Sequence, residues 1–131
     1  MLKVTTTVSN YTEYLGAIEA MLGERHTSLL PKQATIFTTN YDLFIEQASL
    51  SYSAMRLNDG FSRVPSLTGR AEFSSGTFFT TTSSTANLYN YKVDIPSINL
   101  IKLHGSLSWT KEGDSVLFSI RNTPLLYGVS L

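Results

Sequence analysis

Two short apolar runs, Ala34-Thr-Ile-Phe-Thr38 and Ile98-Asn-Leu-Ile-Lys-Leu103, are rich in β-branched and aromatic residues, and a polar turn follows each directly. Both are too short for helices and read as buried strands. Before the first, Tyr14, Leu15, Ile18, Met21 and Leu22 recur at three- and four-residue spacing. That period predicts an amphipathic helix from Asn10 or Thr12 to about Arg25, with either residue available as N-cap and Gly23 weakening the last turn. Leu43, Phe44, Ile45, Ala48 and Leu50 predict a second helix from Leu43 to about Ser51, and Asp42 is placed to cap it.

Residues 56–97 break this regularity. Asn58-Asp-Gly60, Pro65, Gly69, Gly76 and the polar run Thr80-Thr-Thr-Ser-Ser-Thr85 interrupt every long period. Short strands are expected near Phe73 to Thr81 and Leu88 to Val93, in an irregular excursion with too little core to stand as a second domain. Val116-Leu-Phe118 and Leu125 to Val129 carry weaker strand signals. An open α/β sheet with helices on both faces normally uses more strands than this chain supplies. The expectation is a single partial α/β domain over 1–131, divided into 1–55, an insertion at 56–97, and 98–131, with the first strand–helix unit lying elsewhere.

Composition narrows the partners. Of 131 residues, 42% are hydrophobic, which suits a modest globular core. Ten basic residues balance ten acidic ones without a run of like charge, so there is no footprint for nucleic acid or an anionic membrane. With no cysteine, disulfides and cysteine-ligated zinc are excluded, and two histidines without a carboxylate cluster predict no metal site. The start has no apolar leader core, and no apolar stretch reaches the roughly 20 residues of a membrane span, so a soluble, cytoplasmic protein is expected.

The chemistry gathers behind the two strong strands. Phe37-Thr-Thr-Asn-Tyr-Asp42 supplies the Asn40 amide and the Asp42 carboxylate, and Lys102-Leu-His-Gly-Ser106 supplies the His104 imidazole. In open α/β sheets, ligands bind beyond the carboxyl ends of the strands, where loops converge. Taken singly, each residue has a structural explanation: Asp42 as a helix cap, Asn40 as a left-handed turn residue, His104 as an ordinary strand-end histidine. His26, in a polar helix-end segment, has no assigned role. The conjunction at two strand ends in so short a chain favours a site. No glycine-rich phosphate turn occurs anywhere.

The ordered set Thr38-Thr-Asn-Tyr-Asp42 with Leu43 and Glu46, Asn58-Asp-Gly-Phe61, Lys102-Leu-His-Gly-Ser106 and Trp109 resembles the sirtuin-like (SIR2) domain family, in particular its bacterial branch of anti-phage defence proteins. The resemblance implies a Rossmann-like parallel sheet and cleavage of NAD between nicotinamide and ribose. It places Asn40 and His104 in catalytic positions, the first holding a water or ribose hydroxyl and the second acting as general base. It places Asp42 against the nicotinamide carboxamide, and Thr39, Gly105 and Ser106 among the NAD contacts. Thr39 stands where deacetylase sirtuins carry glutamine.

Three departures qualify the comparison. The family's Gly-Ala-Gly-x-Ser turn is absent, so the chain reads as a fragment beginning downstream of it, inactive alone. The zinc-module cysteines are missing and 56–97 takes their place, which favours NAD hydrolysis over deacylation. Tyr127-Gly-Val-Ser-Leu131 only faintly resembles the adenosine-ribose segment. The resemblance also implies a homo-oligomer and a partner defence subunit such as an ATPase. The competing functions are an NAD-dependent protein deacylase and a non-catalytic nucleotide-binding or assembly module.

Overall fold

The computed structural model describes residues 2–26, 30–61, 71–79, 83–84 and 93–118. Helix α1 (Leu2–Gly23) leads into strand β1 (Gln33–Thr38), helix α2 (Phe44–Ser49) and strand β2 (Arg56–Asn58). A 3-10 turn over Ser75–Phe79 follows, then β3 (Ser83–Ser84), β4 (Val93–Asp94), β5 (Ser97–Lys102), β6 (Trp109–Glu112) and β7 (Ser115–Phe118).

Strands β1, β5 and β2 form a parallel sheet in the order β1-β5-β2. With its flanking helices this is an α/β, Rossmann-like arrangement. Register runs from Gln33 opposite Ser97 to Thr38 opposite Lys102, and from Arg56 opposite Ser97 to Asn58 opposite Asn99. The two predicted strands thus lie side by side and end together. The third strand comes from the first residues of the segment 56–97, so the irregular stretch begins after Asn58. A smaller antiparallel pair joins β3 to β4, and a hairpin joins β6 to β7.

One face of the sheet holds the core. Leu15, Ile18 and Leu22 of α1, Ile45 and Ala48 of α2, Met55, and Ile98 and Leu100 of β5 form a buried cluster, with Ala34, Ile36 and Leu57 packed against it. Full burial of each such aliphatic side chain contributes about 1.5–3 kcal/mol, so this face carries much of the stability. The other face is held differently. Asn58 Nδ2 donates to the Thr77 carbonyl at 2.7 Å and Asn99 Nδ2 to the Phe78 carbonyl at 3.4 Å, which ties the 3-10 turn over β2 and β5.

The structure corrects two helix and strand expectations. Helix α1 starts at Leu2, well before Asn10 or Thr12. Thr12 is no N-cap: its hydroxyl donates to the Val8 carbonyl at 2.8 Å inside the helix, the back-bonding that lets threonine sit in a helical interior. From Phe73 to Phe79, the described part of the stretch expected to be a strand, there is no regular strand, and Thr80 and Thr81 lie outside the described residues. Phe73 makes only an isolated bridge to Phe61, and Ser75–Phe79 turns because the Thr77 N–H and hydroxyl both donate to the Ser74 carbonyl. Val93 opens β4, while residues 88–92, Leu125 to Val129 and the segment Tyr127 to Leu131 lie outside the described residues.

An aromatic group steadies the second half of the chain. Phe61 meets Phe73, Trp109 and Phe118 edge-on at 5.6, 5.6 and 5.7 Å between ring centroids, and Phe73 lies 5.4 Å from Trp109. These rings fasten the loop after β2 to the β6–β7 hairpin. Gly60 makes this possible, with φ of +89° and no room for a side chain: a Cβ there would stand 2.2 Å from Phe73 Cε2. Gly60→Ala is therefore expected to destabilise the fold by at least about 2 kcal/mol, from backbone strain and ring displacement together. Chemical denaturation against the parent checks this, and a loss under about 0.5 kcal/mol would show that Phe73 moves aside freely.

Candidate functional site

The parallel register delivers the residues after Thr38 and those after Lys102 to the same end of the sheet. Two backbone bonds join the segments beyond the strands. The Leu103 N–H donates to the Thr38 carbonyl at 2.9 Å, and the Leu107 N–H donates to the Tyr41 carbonyl at 3.0 Å. Side chains meet as well, with the Tyr41 and His104 rings tilted against one another at 6.4 Å between centroids.

Within the first segment, Thr39 and Asn40 are exposed. The turn is shaped from behind, since the Asn40 N–H donates to Thr38 Oγ1 at 3.1 Å, and the Asn40 amide is turned out at the strand end. Asp42 is half-buried, and its Oδ1 accepts from the Phe44 N–H at 3.2 Å. The helix begins at Phe44 with Leu43 in the cap position, so Asp42 restrains its first residue from one step further out than expected.

In the second segment His104 is exposed, while Gly105 and Ser106 are half-buried. Gly105 has φ of +93°, a left-handed turn that glycine adopts without strain, and its N–H reaches back to the Lys102 carbonyl at 3.4 Å. Trp109 then anchors the segment to the aromatic group, its N–H donating to the Ser106 carbonyl at 3.1 Å.

Beneath both segments lies Lys102, which the apolar pattern of β5 gave no reason to single out. Its side chain is only 3% exposed, and its ammonium contacts Glu46 Oε1 at 2.7 Å. It also donates to the Asp42 carbonyl and, at 3.1 Å, to Ser106 Oγ. Ser106 Oγ lies 3.2 Å from the hydroxyl of the buried Ser108. One cation thus reaches α2 and both strand-end segments. Burial pushes the Glu46 carboxyl above its usual 4.5; the Lys102 charge pulls it back only partly, and Asp59 adds to the upward push.

The site is an exposed polar rim, Asn40 and His104, over a buried ionic floor, Lys102 and Glu46. Tyr41, Leu103 and Leu107 add exposed apolar surface at the same strand ends. Such a rim can hold a polar ligand, offer an amide as both donor and acceptor, and move a proton through an imidazole. Among the described residues, no group of three or more histidine, cysteine, aspartate or glutamate side chains could hold a metal ion. Nor is any described helix long and apolar enough to cross a membrane.

Fold and site together define a parallel α/β domain with its polar residues gathered at the carboxyl ends of adjacent strands. A family model described as SIR2-like domain matches residues 34–123, from β1 through the β6–β7 hairpin, and the chain belongs to that family. SIR2-like domains bind NAD, which makes this an NAD-related fold. No curated protein matches the chain.

Proposed function

We propose that this domain serves an NAD+ glycohydrolase of a bacterial anti-phage defence system, cleaving NAD+ to nicotinamide and ADP-ribose. The observation that carries the proposal is the joining of the Asn40 and His104 segments at one sheet end, in a chain of the SIR2-like family. The absence of cysteine removes the ligands of a zinc module and, with it, the usual frame for an acyl-peptide groove.

The reaction suits such a rim. The glycosidic bond breaks with its electron pair passing to the pyridinium nitrogen, so nicotinamide leaves neutral and the ribose carbon takes on oxocarbenium character, as in glycoside hydrolysis. A water oxygen forms the new bond, and its proton passes to the base. Asn40 is assigned to hold the water or a ribose hydroxyl, and His104 to accept the proton. Asp42, Thr39, Gly105 and Ser106 are assigned to substrate contacts, with the Asp42 carboxylate on the nicotinamide amide. The assembly proposed is a homo-oligomer working with a partner defence subunit, in the cytoplasm.

The test is nicotinamide release from NAD+ by the intact protein, with and without a candidate partner subunit. Release without any peptide is the expected result. Release that depends on an acetylated peptide would replace hydrolysis with deacylation, and NAD binding without turnover would leave a nucleotide-binding module.

A further inference from the structure

We infer that Lys102 is the positioning residue of this site: its buried ammonium holds the Asn40 segment, the His104 segment and α2 in one arrangement, with Glu46 as its counter-ion. The inference rests on the proposed function only for its catalytic consequence. Its structural part stands on geometry alone.

The contacts are of three kinds. The Asp42 carbonyl belongs to the first segment, two residues beyond Asn40; Ser106 Oγ belongs to the second, two residues beyond His104; and the Glu46 carboxylate belongs to α2. Lys102 lies on β5 at the last paired position of the parallel register, opposite Thr38, where both strands end. Beyond that point the Leu103–Thr38 and Leu107–Tyr41 backbone bonds and the Tyr41–His104 ring contact hold the segments together. Asn40 and His104 are exposed, so packing around their own side chains fixes neither. Beside those bonds, Lys102 contacts both segments at once from beneath, through the Asp42 carbonyl and Ser106 Oγ. A buried lysine is costly unless it is paired and bonded, and here every contact it makes falls on an element of the site.

The deciding variant replaces both members of the ion pair, Lys102→Met with Glu46→Leu, because exchanging a buried pair for apolar side chains often leaves a fold intact. Amide hydrogen exchange is read first, without NAD. The Leu107 amide, which bridges the segments, should exchange at least about tenfold faster than in the parent, while the Ile36 and Leu100 amides inside the sheet keep their protection. Nicotinamide release is read second, and kcat should fall by about tenfold or more with KM changed much less. Should the double variant not fold, Ser106→Ala removes the Lys102 link to the second segment together with the Ser108 contact, and because Ser106 is also assigned to the substrate, only its amide exchange without NAD is read: faster exchange at Leu107 is expected. Unchanged exchange at Leu107, or a folded double variant with parental kcat, would overturn the inference. A parent that releases no nicotinamide would instead defeat the functional reading, and the exchange arm would still decide the role of Lys102.

Discussion

His104→Ala is expected to lower nicotinamide release by about a hundredfold or more while leaving the fold intact, the range lost when a positioned general base is removed. His104 is exposed and makes one tilted ring contact with Tyr41, so little packing is lost with it. An exposed substitution of this kind changes stability by about 0.5 kcal/mol or less. Activity and stability therefore separate at this residue, which a structural histidine would not allow. Asn40→Ala is the natural companion, since that side chain is equally exposed and the turn beneath it is held by its backbone N–H on Thr38 Oγ1. The measurements are nicotinamide release and thermal unfolding of the same preparations. Release within about threefold of the parent would remove His104 from the chemistry.

The legible parts of this molecule are those written by continuous apolar runs. β1 and β5 fall where Ala34–Thr38 and Ile98–Leu103 place them, to within a residue: β5, the middle strand, is buried along most of its length and needs little polar interruption, while β1 beside it is marked by its β-branched and aromatic residues. Fixing both strand ends also fixes where the two polar segments begin, so Asn40, Asp42 and His104 can be placed beyond strand ends without knowing the register. β2 is not legible in the sequence, because three residues, Arg56-Leu-Asn58, carry no period and sit beside Asp59-Gly60. Its place in the sheet comes from pairing with β5, a tertiary effect. The first turns of α1 were hidden for a related reason: Thr5-Thr-Thr7 and Val8 have poor helix propensity, and the helix is held further along by Leu15, Ile18 and Leu22.

Lys102 was hidden by the alternation rule itself. Between Ile101 and Leu103, a lysine in a strand reads as the solvated side of the pleat, whereas here the polar side chain points under the site and Leu103 is the exposed neighbour. A signal is present in Glu46, which follows the buried Ile45 on a short helix and needs a cation when it is buried. Pairing the two would have required knowing that α2 and β5 share a face.

Lys102→Met alone should destabilise the fold by about 3–5 kcal/mol near neutral pH, the cost of removing one member of a buried ion pair. The loss is large because the partners stay behind. Among the described residues Glu46 Oε2 has no hydrogen-bond partner, and Oε1 would lose the ammonium that now lies 2.7 Å away. The pH dependence gives the prediction its signature. Burial holds the Glu46 carboxyl above 4.5 in the folded protein, and Lys102 is the main influence drawing it down. Without Lys102 the folded value rises further, so the folded form takes up a proton more readily than the unfolded chain. Stability of the variant must then increase as pH falls through that raised value toward 4.5, and the deficit against the parent must be greatest above it. Urea titrations of both proteins from about pH 8 down to about pH 5 should show the gap narrowing. A gap of constant size would mean that Glu46 is not the charge left uncompensated. A gap under about 1 kcal/mol throughout would place Lys102 with exposed pairs, whose partners stay solvated when one is lost.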